Sequence, residues 1–145
     1  MLEGKLHTLE SVYEGEFAMD QKHGQGKLRF NKGGVFTGRF KKDKMREGKL
    51  QYQDGSFYEG LLRDGKRCGF GLYVFSDKSQ YEGQWESDCH HGRGRMDWTD
   101  GGWYNGEWEM GLQHGMGMEV LPDGTTRHLG KWNKGNPFHE AVPIG

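Results

Sequence analysis

Apolar and polar positions alternate in short runs along this chain, and the runs recur. In Tyr81–Trp85 the alternation places Tyr81, Gly83 and Trp85 on one face and Glu82 and Gln84 on the other, the period of a strand with one buried side. In Gly92–Trp98 it groups Gly92, Gly94, Met96 and Trp98 against Arg93, Arg95 and Asp97. An aromatic-X-Gly-X-apolar string appears as YEGEF at Tyr13, FTGRF at Phe36, YEGLL at Tyr58, YEGQW at Tyr81 and YNGEW at Tyr104, at spacings of 23, 22, 23 and 23 residues. A weaker copy, HLGKW, starts at His128, one residue late. Each full copy is followed by a second string: His23–Phe30, Met45–Tyr52, Cys68–Phe75, His91–Trp98 and His114–Leu121. A turn signal comes next, at Gly33-Gly34, Asp54-Gly55, Asp77-Lys78, Asp100-Gly101 and Asp123-Gly124. A period of this length marks a repeat architecture.

The pattern predicts two strands per unit, joined inside the unit by a polar stretch such as Glu86–His90 and between units by the Asp-Gly turn. Trp98 and Tyr104 share a face and are an even number apart, so the turn between them holds an odd number of residues. Three residues, with Gly101 or Gly102 at positive φ, meet that requirement. The predicted fold is all-β: an extended single-layer antiparallel meander of about twelve strands, roughly 55 Å long, curved into a trough by strand twist. The array covers residues 1–135, with repeats near 13–35, 36–57, 58–80, 81–103 and 104–127 and partial units at 4–12 and 128–135. Residues 136–145, with Phe138, Ala141, Val142 and Ile144 among prolines, are expected to cap the last strand.

Composition supports a thin layer rather than a thick core. Hydrophobic residues make up only 32% of the 145, while glycine reaches 26 residues and aromatics 13%. Rings lying over bare glycine backbone account for both excesses, because a glycine on the ring-bearing face permits close approach.

These strings resemble the MORN repeat, whose unit begins YEGEW and carries HGxG and DG downstream; the resemblance covers about residues 4–135. It implies the same curved hairpin array, and for function scaffolding at cytoskeletal, ciliary or membrane-junction sites, binding of a partner helix or extended segment, and affinity for anionic phospholipid. The sequence departs from the pattern in five places. Arg46 replaces the first HGxG glycine, repeat two is one residue short, Lys78 replaces the DG glycine, Leu62 the usual ring, and Glu119 an inward apolar residue.

Candidate chemistry points to binding. No strand–turn–helix carries a nucleophile, and the Gly-X-Gly pairs lie within strands where no helix follows to hold phosphate, so no catalytic residue and no cofactor is expected. One candidate surface is the trough, with Tyr58, Tyr81, Trp85, Trp98, Tyr104 and Trp108 as interface anchors; the alternative is that they pack only on one another and on glycine. A second is an apolar patch on the outer face of repeat three, Leu61, Phe70, Leu72 and Val74. Repeat five offers Met116, Met118 and Val120 there, unless a bulge flips the strand, which the inward Glu119 suggests.

Charge adds a third surface. Formal net charge is −1, so no overall field draws the chain to nucleic acid. Residues 1–70, however, hold 14 Lys+Arg against 10 Asp+Glu, and residues 71–145 hold 6 against 11. Lys41, Lys42, Lys44, Arg46, Arg63, Lys66 and Arg67 fall on hairpin loops along one edge. They form a candidate site for an anionic membrane surface or else solvate the loops. The opposite charge of the two halves, with a free strand edge at each end, also suggests end-to-end homo-oligomers.

No metal site is expected. His91 and His114 occupy one repeat position about 9.6 Å apart, too far to share an ion. Cys68, Cys89, His90 and His91 match no standard ligand spacing and fit at most an intermolecular cluster. Two cysteines make no disulfide framework, and the start MLEGKLHTLES lacks the apolar core of a signal peptide. A cytoplasmic, cytoskeleton- or cilium-associated protein is the expectation.

Overall fold

The computed structural model describes residues 2–138. The described residues form thirteen strands: β1 (Leu2–His7), β2 (Ser11–Ala18), β3 (Gln21–Phe30), β4 (Val35–Lys41), β5 (Lys44–Gln51), β6 (Phe57–Arg63), β7 (Lys66–Val74), β8 (Gln80–Glu86), β9 (Cys89–Asp97), β10 (Trp103–Glu109), β11 (Leu112–Val120), β12 (Thr126–Asn133) and β13 (Asn136–Pro137). All belong to one open antiparallel sheet whose strands lie in chain order. The thirteenth, in the tail, follows β12 through Lys134-Gly135, and the amide of Phe138 then donates to the Lys131 carbonyl at 2.8 Å. Ala141, Val142 and Ile144 lie outside the described residues.

Two kinds of turn alternate. Within a unit, only two residues separate the strands, as in Lys42-Asp43 and Ser87-Asp88, and both take positive φ (50° and 69°, 46° and 69°). This is the type I′ geometry whose twist matches that of paired strands. The expected polar connection Glu86–His90 is therefore mostly strand. Between units the odd-numbered turn is as parity requires. Gly101 has φ 96° and donates to the Trp98 carbonyl at 3.1 Å, while the Trp98 amide donates to Gly102 at 2.9 Å. Lys78 takes the same conformation at φ 78° without being glycine.

Glycine pairs with glycine across every neighbouring pair of strands from β1 to β12. The row runs Gly4, Gly15, Gly26, Gly38, Gly48, Gly60, Gly71, Gly83, Gly94, Gly106, Gly117, Gly130. Over this ladder lie the rings of Tyr13, Phe36, Tyr58, Tyr81 and Tyr104, all fully buried. A methyl group on Gly26, Gly71, Gly94 or Gly117 would overlap the tyrosine above it. Each tyrosine hydroxyl donates to a carbonyl three residues on: Tyr13 to Glu16 (2.6 Å), Tyr58 to Leu61 (2.7 Å), Tyr81 to Gln84 and Tyr104 to Glu107 (both 2.8 Å). A single layer thus buries large rings with their polar tips satisfied.

Beside the ladder each hairpin bulges, and the bulge explains the HGxG string. Gly83 pairs with Gly94 but Trp85 pairs with His90, so His91, Gly92 and Arg93 face the single residue Gln84. Gly92 absorbs the kink at φ 79°, and the Gln84 side chain accepts the Arg93 amide at 2.8 Å. Glu16 does the same for Gln25, and Glu107 for Met116. In repeat two the register shift amounts to one residue, between Arg39/Phe40 and Glu47/Met45. The shorter spacing and the Arg46 substitution are therefore one event: the deletion removes the left-handed residue that needed glycine.

Candidate functional site

On the ring face the ladder tyrosines and the indoles over them are covered by their own neighbours, while Tyr73, Phe75 and Trp98 are only partly buried. Tyr58, Tyr81 and Tyr104 are fully buried, Trp85 and Trp108 nearly so, and Trp98 is half-buried against the same cluster. The indole N–H of Trp85 donates to the Gly71 carbonyl (3.0 Å), that of Trp108 to Gly94 (3.0 Å) and that of Trp132 to Gly117 (3.1 Å). Each of these indoles also stands edge-on to the tyrosine of the preceding unit: Tyr58 to Trp85 at 5.5 Å, Tyr81 to Trp108 at 5.4 Å, Tyr104 to Trp132 at 5.1 Å. The rings thus couple neighbouring repeats, as stacked units must. Burial raises the Tyr58 and Tyr81 hydroxyl pKa values and takes that of Tyr104 to about 12. Of the six proposed trough anchors, only Trp98 retains much accessible surface.

The outer face carries the apolar patch where parity places it. Leu61 is 41% and Phe70 59% exposed, and Leu72 and Val74 are half-buried. Tyr73 and Leu62 point the other way, into the core cluster, so β7 is not flipped. Leu72 lies between Glu59 and Glu82, Phe70 beside Gln84, and Val74 between Phe57 and Gln80. A groove crosses the strands here, floored by Gly48, Gly60 and Gly71 and rimmed by Glu47, Glu59 and Glu82. Lys49 also lines the groove, with its ammonium over the Phe57 ring at 4.3 Å. Phe57 extends the patch and is absent from the sequence-based candidates, although its place one residue before Tyr58 fixes it as outward.

Repeat five keeps the same parity, so its strand is not flipped and only Val120 is withdrawn from the outer surface. Met116 is exposed, Met118 half-buried and Val120 buried. Strand β11 keeps its register with β10 from Trp103↔Val120 to Gly106↔Gly117, and the shift that absorbs the late HLGKW spacing lies in β12, where Arg127 is the extra residue. Glu119 faces inward and is held by Arg127 at 2.5 Å.

The basic residues are not loop residues. Apart from Lys42, at a turn tip, Lys41, Lys44, Arg46, Arg63, Lys66 and Arg67 lie on strands, because each turn is only two residues long. Two are engaged. Lys44 pairs with Asp64 at 2.9 Å; Arg67 pairs with Asp88 at 3.0 Å and stacks on Trp85 and Tyr73. Carboxylates thus interleave with the cations along this edge.

Cys68 and Cys89 are free cysteines on β7 and β9, with β8 between them. His90 lies flat on Tyr81 (centroids 3.8 Å, planes 4° apart), wedged edge-on to Trp85 and Trp108. Burial, with help from Arg67, depresses its pKa to about 4. His91 bonds Glu86 at 3.1 Å, and His114 bonds Glu109 at 3.2 Å in the same way. In repeats four and five this histidine is therefore a cross-strand partner of a carboxylate, and among the described residues no three His, Cys, Asp or Glu side chains are placed to hold a metal ion.

A family model described as MORN repeat matches residues 13–35, 36–57, 58–80, 81–103 and 104–126. No curated protein shows a match to the chain. Five consecutive units in register, each building one ring-over-glycine hairpin of the sheet, settle the assignment: the chain belongs to the MORN-repeat family.

Proposed function

We propose that this protein is a non-catalytic scaffold that holds a segment of a protein partner, helical or extended, across the outer face of repeats two to four. The cytoskeletal or ciliary setting of that assembly is taken from the family resemblance. The observation that carries the reading is the patch of Leu61, Phe70, Leu72 and Val74, solvent-facing on a small domain whose ladder rings are already covered. Contiguous exposed apolar surface of this kind marks an interface. Glu47 is already paired with Arg39 at 3.7 Å, and the carboxylates of Glu59 and Glu82 on either side of Leu72 favour a partner segment that carries Lys or Arg beside its apolar side chains.

Phe70→Lys with Leu72→Thr tests this, the threonine avoiding a third carboxylate between Glu59 and Glu82. Both side chains point away from the rings, so far-UV circular dichroism and the urea midpoint should match wild type while cross-links between partner and β5–β8 disappear. Unfolding of the double variant, or cross-links that survive it, would overturn the reading. The membrane alternative predicts binding to phosphatidylserine vesicles that falls steeply between low and moderate salt. The ion pairs of Lys44 and Arg67 leave less free charge for that than the sequence alone suggests.

A further inference from the structure

Strand β1 begins the sheet, and its outer backbone edge faces no strand among the described residues. At the opposite end β13 lies against β12 and includes Pro137, which has no N–H to offer a further strand. The open edge also displays apolar side chains: Leu2 is 77% and Leu6 41% exposed. Both are on the ring face, because they pair with Phe17 and Tyr13. Glu3 and Lys5 alternate with them on the outer face. Glu3 stands directly opposite Glu16, a like-charge pair.

From these features we infer that β1 is a self-recognition edge, which joins a second copy of this chain through antiparallel β1–β1 pairing with Gly4 opposite Gly4. Leu2–Leu6 reads LEGKL, which is complementary to itself in that register. Leu2 meets Leu6 of the second copy, Glu3 meets Lys5, and Gly4 meets Gly4, in both directions. The register continues the glycine ladder that every neighbouring pair from β1 to β12 obeys. Lys5 of the second copy also comes to the free side of Glu3, relieving the contact with Glu16.

Other registers are excluded by face and charge. A one-residue slip would turn the ring face of one copy against the outer face of the other. A two-residue slip restores the faces but opposes Glu3 to Glu3 or Lys5 to Lys5. The dyad passes through the glycine pair, so the contact is isologous and closes at two copies. Head-to-tail contact, suggested by the charge of the two halves, would instead leave an open end at each addition.

Sedimentation velocity on the full chain and on Glu3→Lys, Lys5→Glu and the double variant tests the inference. These side chains are on an edge strand's outer face, and circular dichroism checks that each variant folds. Wild type at about 100 μM should reach twice the monomer mass and stop there. Each single variant alone should fall to monomer, since it opposes like charges. In an equimolar mixture of the two, the paired lysines of one variant meet the paired glutamates of the other across the dyad, so the two-chain mass should return. The double variant, with the two charges exchanged, should recover it alone. Wild type that stays monomeric, mass that climbs past two copies, single variants that associate as wild type does, or a mixture that remains monomeric would each overturn it.

Discussion

Replacing Gly94 by alanine sets two effects of opposite sign against each other. In an ordinary strand the change stabilises by about 0.5–1 kcal/mol, because glycine loses more backbone freedom on folding. Here the new methyl would occupy the space of the Tyr81 phenol. That ring has no room to withdraw, being stacked on His90 at 3.8 Å and flanked by Trp85 at 5.1 Å and Trp108 at 5.4 Å. Overpacking of a filled core costs about 1–3 kcal/mol, and complete expulsion of the ring about 3–5 kcal/mol. Loss of the Tyr81–Gln84 hydrogen bond at 2.8 Å adds to the first figure. A net destabilisation of about 2–4 kcal/mol is expected. Two controls separate this from glycine chemistry in general. Gly4→Ala meets only the Phe17 ring edge, at 3.1 Å, and should remain within about 0.5 kcal/mol of wild type. Gly111→Ala has open space but φ 85°, and should cost about 1 kcal/mol. Urea unfolding followed by tryptophan fluorescence ranks the three. Gly94→Ala as stable as wild type, or more stable, would refute ring-on-glycine packing as the basis of the fold.

Other perturbations follow from the same geometry. Trp85→Phe keeps a ring but leaves the Gly71 carbonyl without its donor, at about 1–2 kcal/mol, whereas Trp85→Ala should cost about 3–5 kcal/mol; both are read from the urea midpoint. Lys78→Gly removes a non-glycine residue from φ 78° and should stabilise by about 1 kcal/mol, seen as a raised midpoint. Because the folded-state pKa of His90 is about 4 against an ordinary 6.5, the unfolded chain binds the proton first as pH falls. Stability contributed by the neutral ring, up to about 3 kcal/mol, is present above pH 6.5 and lost between 6.5 and 4. His90→Gln, the residue type found at the equivalent Gln113, should flatten that part of the profile when midpoints at about pH 7 and about pH 4.5 are compared.

Much of this protein is determined along the strand and is legible there. Between bulges, period-two alternation assigns each residue a face, so the outward Leu61, Phe70, Leu72 and Val74 and the inward Tyr73 and Met96 follow from parity alone. Turn length between Trp98 and Tyr104 follows from the same parity, and the repeat spacing brings the strands into chain order. The excess of glycine and aromatic residues already implies rings on bare backbone.

What the sequence does not contain is the register across strands, and the misreadings all lie there. The basic residues read as loop because nothing local says that a two-residue type I′ turn at Lys42-Asp43 or Asp64-Gly65 suffices. Parity leaves open whether the rings are anchors or packing, because the carbonyls of Gly71 and Gly94 that engage Trp85 and Trp108 lie 14 residues away. The short second repeat and the missing HGxG glycine read as two defects, although one altered bulge accommodates both. Side-chain period is a property of one chain segment. Which residue stands opposite which depends on where every preceding strand bulged, and only the assembled sheet decides that.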